Sequence, residues 1–365
     1  MNRKRALYRY EFGNMKWMFV AGIGCCVLVL LMLNSAMMAQ YNFFEIGVAV
    51  GSWQPFSAGF VYCLQMVTPL ALIAIGIMSI LQFSDYHKRN RREYIVSLPY
   101  TQRERFIAKF AVGSGILTAV CLVFGIGVYL LRETYFNNYS KVPLLYPGYR
   151  LLYGNDTWLQ TLRTLVVLWV VVLTAYAVFV AVHSLVSRGV LASLISLGML
   201  ATPIYVIYVI CLYGRMMGNY EFANSPIIKR LEQICGAFVG QGYFKYQEWI
   251  DSEMSQYGID LMVVDYGDIG IVIIVLLVAL IAFATLAYWA NVKQDGAKFG
   301  CIVPNPCVRV VLSVGTAICF SLPIALLLTF CIGYTDGWRM LLAVQIAVAI
   351  GLYFVNQIIF KKVVR

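Results

Sequence analysis

Long runs without charge dominate this chain and leave it few ways to fold. About eight stretches, near 17–38, 56–83, 106–131, 159–186, 190–213, 268–290, 310–331 and 339–360, are almost wholly apolar. Each approaches the ~20 residues that a helix needs to cross the ~30 Å hydrocarbon core of a bilayer. Only helices and closed barrels satisfy their backbone polar groups in that medium, and runs of this length read as helices. Of 365 residues, 61% are hydrophobic and 12% charged, against about 25% charged in soluble domains. The sequence therefore predicts an all-α, polytopic integral membrane protein: a single transmembrane domain over 1–365, set in the lipid bilayer of the plasma membrane.

The net charge of +11 does not point to nucleic acid, because topology accounts for where it lies. Most of the 28 Lys and Arg fall in the first sixteen residues, in 84–109, in 291–309 and at the C-terminus. Basic loops stay in the cytoplasm. This places both termini inside and the connection Gly214–Gly267 outside. That connection is rich in Tyr, Phe and Trp, and helices are expected over Ile227–Phe238 and Tyr243–Tyr257. Near the N-terminus, Tyr8, Phe12, Met15 and Phe19 recur at helical steps. They suit a short helix lying on the inner membrane face before the first span. The first span is read as retained, since no cleavage signal follows it. Gly113 and Gly115 lie early in the third span, where small residues allow close helix contact.

The stretch Ser84–Lys109 is the most basic in the chain and sits between the second and third spans. Glu93 follows Arg89 by one helical turn. Pro99 disfavours helix at Leu98. Thr101 and Glu104 form the T-x-x-E pattern of a capping box. The order expected is a short surface helix, a proline break, and a new helix starting at Gln102.

The pattern Glu93-x-x-x-Ser97-Leu98-Pro99-x-Thr101, followed by Arg103 and Lys109, resembles the first cytoplasmic loop of ABC-2-type permeases. These are the membrane-spanning subunits of ATP-binding-cassette transporters. The close resemblance is confined to this loop. The family's simplest members have six spans, and some larger ones resemble the eight-span order here. The resemblance implies a short cytoplasmic coupling helix that sits in a groove of a separate ATPase subunit. It assigns ATPase coupling to Glu93, Tyr94, Ser97, Leu98, Pro99, Thr101, Arg103, Glu104 and Lys109, the last of these with Arg103 and Glu104 anchoring the head of the third span. It also implies a second permease subunit, identical or different, export as the direction of transport, and ATP bound on the ATPase partner.

Other chemistry finds little support in the residues. No G-x-x-x-x-G-K-[ST] phosphate loop occurs, so ATP hydrolysis belongs to another chain and this one is read as a non-enzyme without a cofactor of its own. His87 and His183 have no companions at metal-ligand spacing, and Cys301 and Cys307 match no zinc pattern. Most other cysteines lie in spans and act as small hydrophobes. Asn34, Gln65, Gln345, Asn356 and Gln357 are the strongest polar candidates within spans, and Arg163 lies near an edge where it can snorkel. No intramembrane acid–base pair is expected, which argues against an ion-coupled carrier. The competing classes are a non-transporting scaffold or sensor, a secondary carrier, and an intramembrane enzyme.

Overall fold

One helix forms the hub of the structure, and the others are arranged around it. The structure, a computed structural model, describes residues 3–45, 52–53, 56–84, 99–139, 158–239, 245–249, 260–265, 269–293, 303, 305–331 and 338–361. Its helices are α1 (Arg3–Glu45), α2 (Phe56–Gln82), α3 (Gln102–Tyr139), α4 (Trp158–Leu185), α5 (Gly189–Met216), the short α6 (Tyr220–Ala223) and α7 (Pro226–Gly236), then α8 (Ile269–Lys293), α9 (Pro306–Cys331) and α10 (Trp338–Lys361). Among the described residues, 7 helices are long and apolar enough to cross a membrane: α1, α3, α4, α5, α8, α9 and α10. In α2 the corresponding apolar section is the shorter Val67–Gln82. The chain is thus a helical protein of multi-pass membrane architecture.

The hub is α4. Every residue from Thr174 to Ser184 is buried, as expected of a helix that is apolar all round. Its small residues Ala175, Ala177 and Ala181 are fully enclosed and let neighbouring backbones approach. Helices α2, α3, α5 and α8 pack on α4, and α1 packs on α2 and α3. The last two helices, α9 and α10, pack mainly on each other, with α9 also against α5. Polar side chains fasten this pair: Asn356 donates to Thr316 at 2.7 Å, and Tyr213 on α5 donates to Gln345 at 2.5 Å. Two polar residues singled out in the sequence therefore serve as interhelical links.

Helices α1 and α3 run in the same direction at a nearly constant offset. Glu11 lies beside Lys109, Gly22 against Val120, and Leu30 against Gly127. A Cβ on Gly22 would sit 2.9 Å from Val120 Cγ2, and one on Gly127 only 2.3 Å from Leu30 Cδ1. Glycine at both points is what allows the backbones to close. The N-termini of α1, α3, α5 and α9 share one end of the bundle with the C-termini of α2, α4, α8 and α10. We call it the basic end, for the Lys and Arg gathered there.

Several boundaries differ from the sequence expectation. The N-terminal segment is not a separate surface helix; α1 is continuous over 43 residues, because no proline or turn interrupts Arg3–Glu45. Of the expected apolar stripe, Met15 is buried whereas Tyr8 and Phe12 are exposed. The α3 helix continues past Leu131 to Tyr139. At the end opposite the basic end, Lys245–Trp249 is a strand where a helix over Tyr243–Tyr257 was expected; the rest of that range lies outside the described residues. This strand (β2) pairs antiparallel with β3 (Asp260–Asp265), which pairs in parallel with β1 (Ser52–Trp53). Tyr246, Trp249, Val263 and Val264 belong to the residue types that favour strands. The expected helix at Ile227–Phe238 is α7, continued by a 3-10 turn over Ala237–Val239. Ala237 is fully buried against Val167, Val170 and Val171 of α4 and Val272 and Leu276 of α8, so this segment enters the bundle's far end.

Candidate functional site

The head of α3 begins where the basic loop ends. Its first turn is held by a closed capping box. Glu104 N donates to Thr101 Oγ1 at 3.2 Å, and Thr101 N donates to Glu104 Oε2 at 3.0 Å. The Glu104 carboxylate also lies at the positive end of the helix dipole. From this start, positions three and four apart turn one face inward: Phe106, Lys109, Phe110 and Gly113. Arg103 stays exposed, with its guanidinium 5.9 Å from the Tyr288 ring of α8.

Lys109 is the centre of a buried polar knot that joins four helices. Its ammonium donates to Glu11 Oε2 on α1 at 3.0 Å and to the Gln82 carbonyl on α2 at 3.0 Å. Gln82 Nε2 donates back to the Lys109 carbonyl at 2.7 Å. The Tyr176 hydroxyl of α4 donates to Gln82 Oε1 at 2.8 Å. All four side chains are buried, and Tyr176 is fully so. Two charges removed from water persist only when each meets opposite charge and hydrogen bonds, and this arrangement supplies both. Gly113 makes room for it: a Cβ there would lie 2.0 Å from the Tyr176 hydroxyl oxygen and 2.4 Å from its Cζ.

Rings surround the knot. Phe110 stacks on Tyr176 with centroids 5.6 Å apart, and Phe106 lies 6.0 Å from Phe110 and 5.9 Å from Tyr288. The head of α3 is thus attached to α1 and α2 through polar bonds, to α4 through Tyr176, and to α8 through Tyr288. Nearby, Ser193 Oγ of α5 donates to the Gly76 carbonyl of α2 at 3.2 Å. The His183 ring nitrogen Nε2, 3.0 Å from the same oxygen, is therefore its donor. His183 is a buried interhelical bridge. Asn291 of α8 donates to Ser184 in the same layer.

The coupling residues named from the sequence divide in two. Glu93, Tyr94, Ser97 and Leu98 lie outside the described residues. Pro99, Thr101, Arg103, Glu104 and Lys109 all lie on or just before the head of α3, and Lys109 alone is deeply buried. Sequence reasoning missed Glu11, Gln82 and Tyr176. The expectation of no acid–base pair within the spans took no account of the basic end, where Glu11, ahead of the expected first span, and Lys109 form a buried pair. The partners lie 98 positions apart, beyond any local pattern. The available trace was Glu11 itself, the lone acid before Glu45 in a basic segment. Among the described residues, no group of three or more His, Cys, Asp or Glu side chains is arranged to hold a metal ion. Comparison with protein-family models, curated proteins and solved structures gives no match.

Proposed function

We infer that this chain is the membrane-spanning subunit of an ATP-binding-cassette transporter of the ABC-2 permease type, and an exporter. In this reading α2 is an eighth span, both termini are cytoplasmic, and the chain resides in the plasma membrane. The connection between α2 and α3 carries the coupling contact at Glu93–Pro99, a separate ATPase subunit binds ATP against it, and a second permease subunit completes the pathway. The observation that carries the reading is the fastening of the α3 head. The stretch Glu93–Pro99 leads directly into a helix whose first three turns are bound to α1, α2, α4 and α8. A displacement at the loop is passed at once to most of the bundle, which is the mechanical requirement for coupling to an external motor.

The test uses the tagged full chain, purified from its own membrane in mild detergent. An ATP-binding-cassette ATPase should copurify with the wild type. Glu93→Ala and Leu98→Asp should reduce its capture without lowering the membrane level, since unpairing a charge seated in a partner groove costs about 2–5 kcal/mol. An exposed charge would tolerate the change, at about 0–1 kcal/mol. No ATPase with the wild type, or equal capture by both variants, sinks the reading.

A second reading is a proton-coupled carrier, and the Glu11–Lys109 pair favours it, because buried ionisable groups in membrane helices often mark ion pathways. Uptake driven by a proton gradient in vesicles holding this chain alone would decide for the carrier.

A further inference from the structure

Helices α9 and α10 form a hairpin that meets the bundle chiefly along α5. The seam between them is polar over successive helical turns. From the basic end inward, α9 carries Arg309, Ser313, Thr316 and Cys319. Asn356 of α10 donates to Thr316 at 2.7 Å, and Thr202 Oγ1 of α5 lies 3.1 Å from Cys319 Sγ. Deeper still, Gln345 Nε2 donates to Ser321 Oγ at 3.4 Å, and Gln345 Oε1 accepts from the Tyr213 hydroxyl of α5. From Arg309 to Ser321 the row runs about 18 Å at 1.5 Å per residue, more than half of a hydrocarbon core of about 30 Å. It ends at an apolar stop, where Leu322, Ala325 and Leu341 are buried with Leu342 and Val344 packed against them.

Polar side chains can serve simply to fasten helices in lipid, and the bonded pairs do fasten them. Ser313 does not. It is fully buried, and among the described residues its hydroxyl has no hydrogen-bond partner. The same holds for the Gln357 amide nitrogen, beside Asn356 on α10, and for Arg309 Nε. All three are donors at the basic end of the row, enclosed by protein and left unpaired. Such groups destabilise the closed seam, and contact with water relieves them. We propose that the seam between α5 and the α9–α10 hairpin is a closed aqueous path, which opens from the basic end to water and small polar solutes when the hairpin swings away from α5. The hydroxyls of Thr202, Ser321 and Tyr213, the Gln345 amide and the Cys319 thiol line it. They offer entering water the several polar partners that a buried water needs, whereas an acyl chain would leave them unanswered. The path does not depend on whether an ATPase or an ion gradient drives transport, and its test uses neither.

The experiment is radiolytic footprinting of the full chain in phospholipid nanodiscs, read by peptide mass spectrometry. Hydroxyl radicals formed from water oxidise the side chains that water touches. Cys319 and Cys25 make the comparison. Each lies about 14–15 Å beyond the last basic residue of its helix, Arg309 in α9 and Lys16 in α1. Cys25 is the more exposed of the two on the protein surface, so exposure alone predicts faster oxidation there. The aqueous path predicts the reverse, with Cys319 oxidised about tenfold faster. A second arm closes the path. Thr202→Cys sets a second thiol against Cys319, and diamide takes up two electrons and two protons as their disulfide forms. Oxidation of Tyr213 should then fall about tenfold and recover on reduction, while diamide leaves a Thr202→Ser control unchanged. Oxidation of Cys319 no faster than that of Cys25 overturns the proposal and gives the seam to packed protein or lipid. So does a Tyr213 footprint that the disulfide leaves unchanged.

Discussion

Lys109 and Glu11 form an ion pair of 3.0 Å across 98 positions of chain, with side chains only 2% and 5% exposed. This pair makes the N-terminal segment part of the bundle and not merely a basic flank. Removing one partner strands the other charge away from water, at a cost of about 3–5 kcal/mol. Glu11→Ala or Lys109→Met alone should therefore lower stability by about that much. The double variant Glu11→Leu with Lys109→Met should lose far less than the sum. Unfolding of the four chains in mild detergent, treated as a double-mutant cycle, measures the coupling. Additive losses would show that the charges do not interact.

Gly113 and Gly115 should respond in opposite ways to the same substitution. A methyl at Gly113 meets Tyr176, whereas nothing lies within 4 Å at Gly115. Gly113→Ala should destabilise by about 1–3 kcal/mol through overpacking. Gly115→Ala should be neutral or gain up to about 1 kcal/mol from helix propensity. Combining Gly113→Ala with Tyr176→Leu should recover part of the steric loss. Comparable melting shifts for Gly113→Ala and Gly115→Ala would contradict the geometry.

The capping box sets where α3 begins. Thr101→Ala removes the side-chain acceptor for the Glu104 amide, and such losses cost about 0.5–2 kcal/mol. Thr101→Ser and Thr101→Asp keep an acceptor and should retain most of the stability. Hydrogen exchange of the amides at 102–105 reads the effect directly. Exchange should accelerate in the alanine variant and stay near wild type in the serine one.

Cys235 offers a test of orientation. It lies on α7, is partly exposed, and burial pushes its thiol above the ordinary range. The thiolate is the reactive form, so its fraction grows with pH up to and beyond the usual thiol midpoint. In a variant lacking the other cysteines, an impermeant thiol reagent should label it in intact cells. The rate should keep rising with pH after an unburied thiol has levelled off. Labelling confined to broken cells would reverse the orientation assigned to this end of the bundle.

What could be read from the sequence was local. The start of α3 at Gln102 follows from Thr101 and Glu104, three residues apart. The turn between α4 and α5 falls at Ser187–Gly189, between two charge-free runs. The membrane character of seven helices follows from their length and composition. What stayed hidden depended on residues distant in the chain. Glu11 reads as one acid among bases until Lys109 is beside it. Gly113 and Gly115 look equivalent until Tyr176 arrives from α4. The strand at Lys245–Trp249 takes its conformation from pairing with Asp260–Asp265, and its tyrosine- and tryptophan-bearing sequence is not periodic enough to announce that partner.

The unbroken course of α1 has a consequence of its own. With Glu11 pinned to Lys109, the helix extends about 50 Å further to Glu45 at 1.5 Å per residue. A rod of that length works as a lever. A tilt of about 5° at the pinned end becomes a sweep of about 4 Å at Glu45, over the straight rise assumed for the helix. Because Gly22 and Gly127 hold α1 against α3 along this length, a small rotation of the α3 head would carry the two helices together and be enlarged on the opposite side of the bundle.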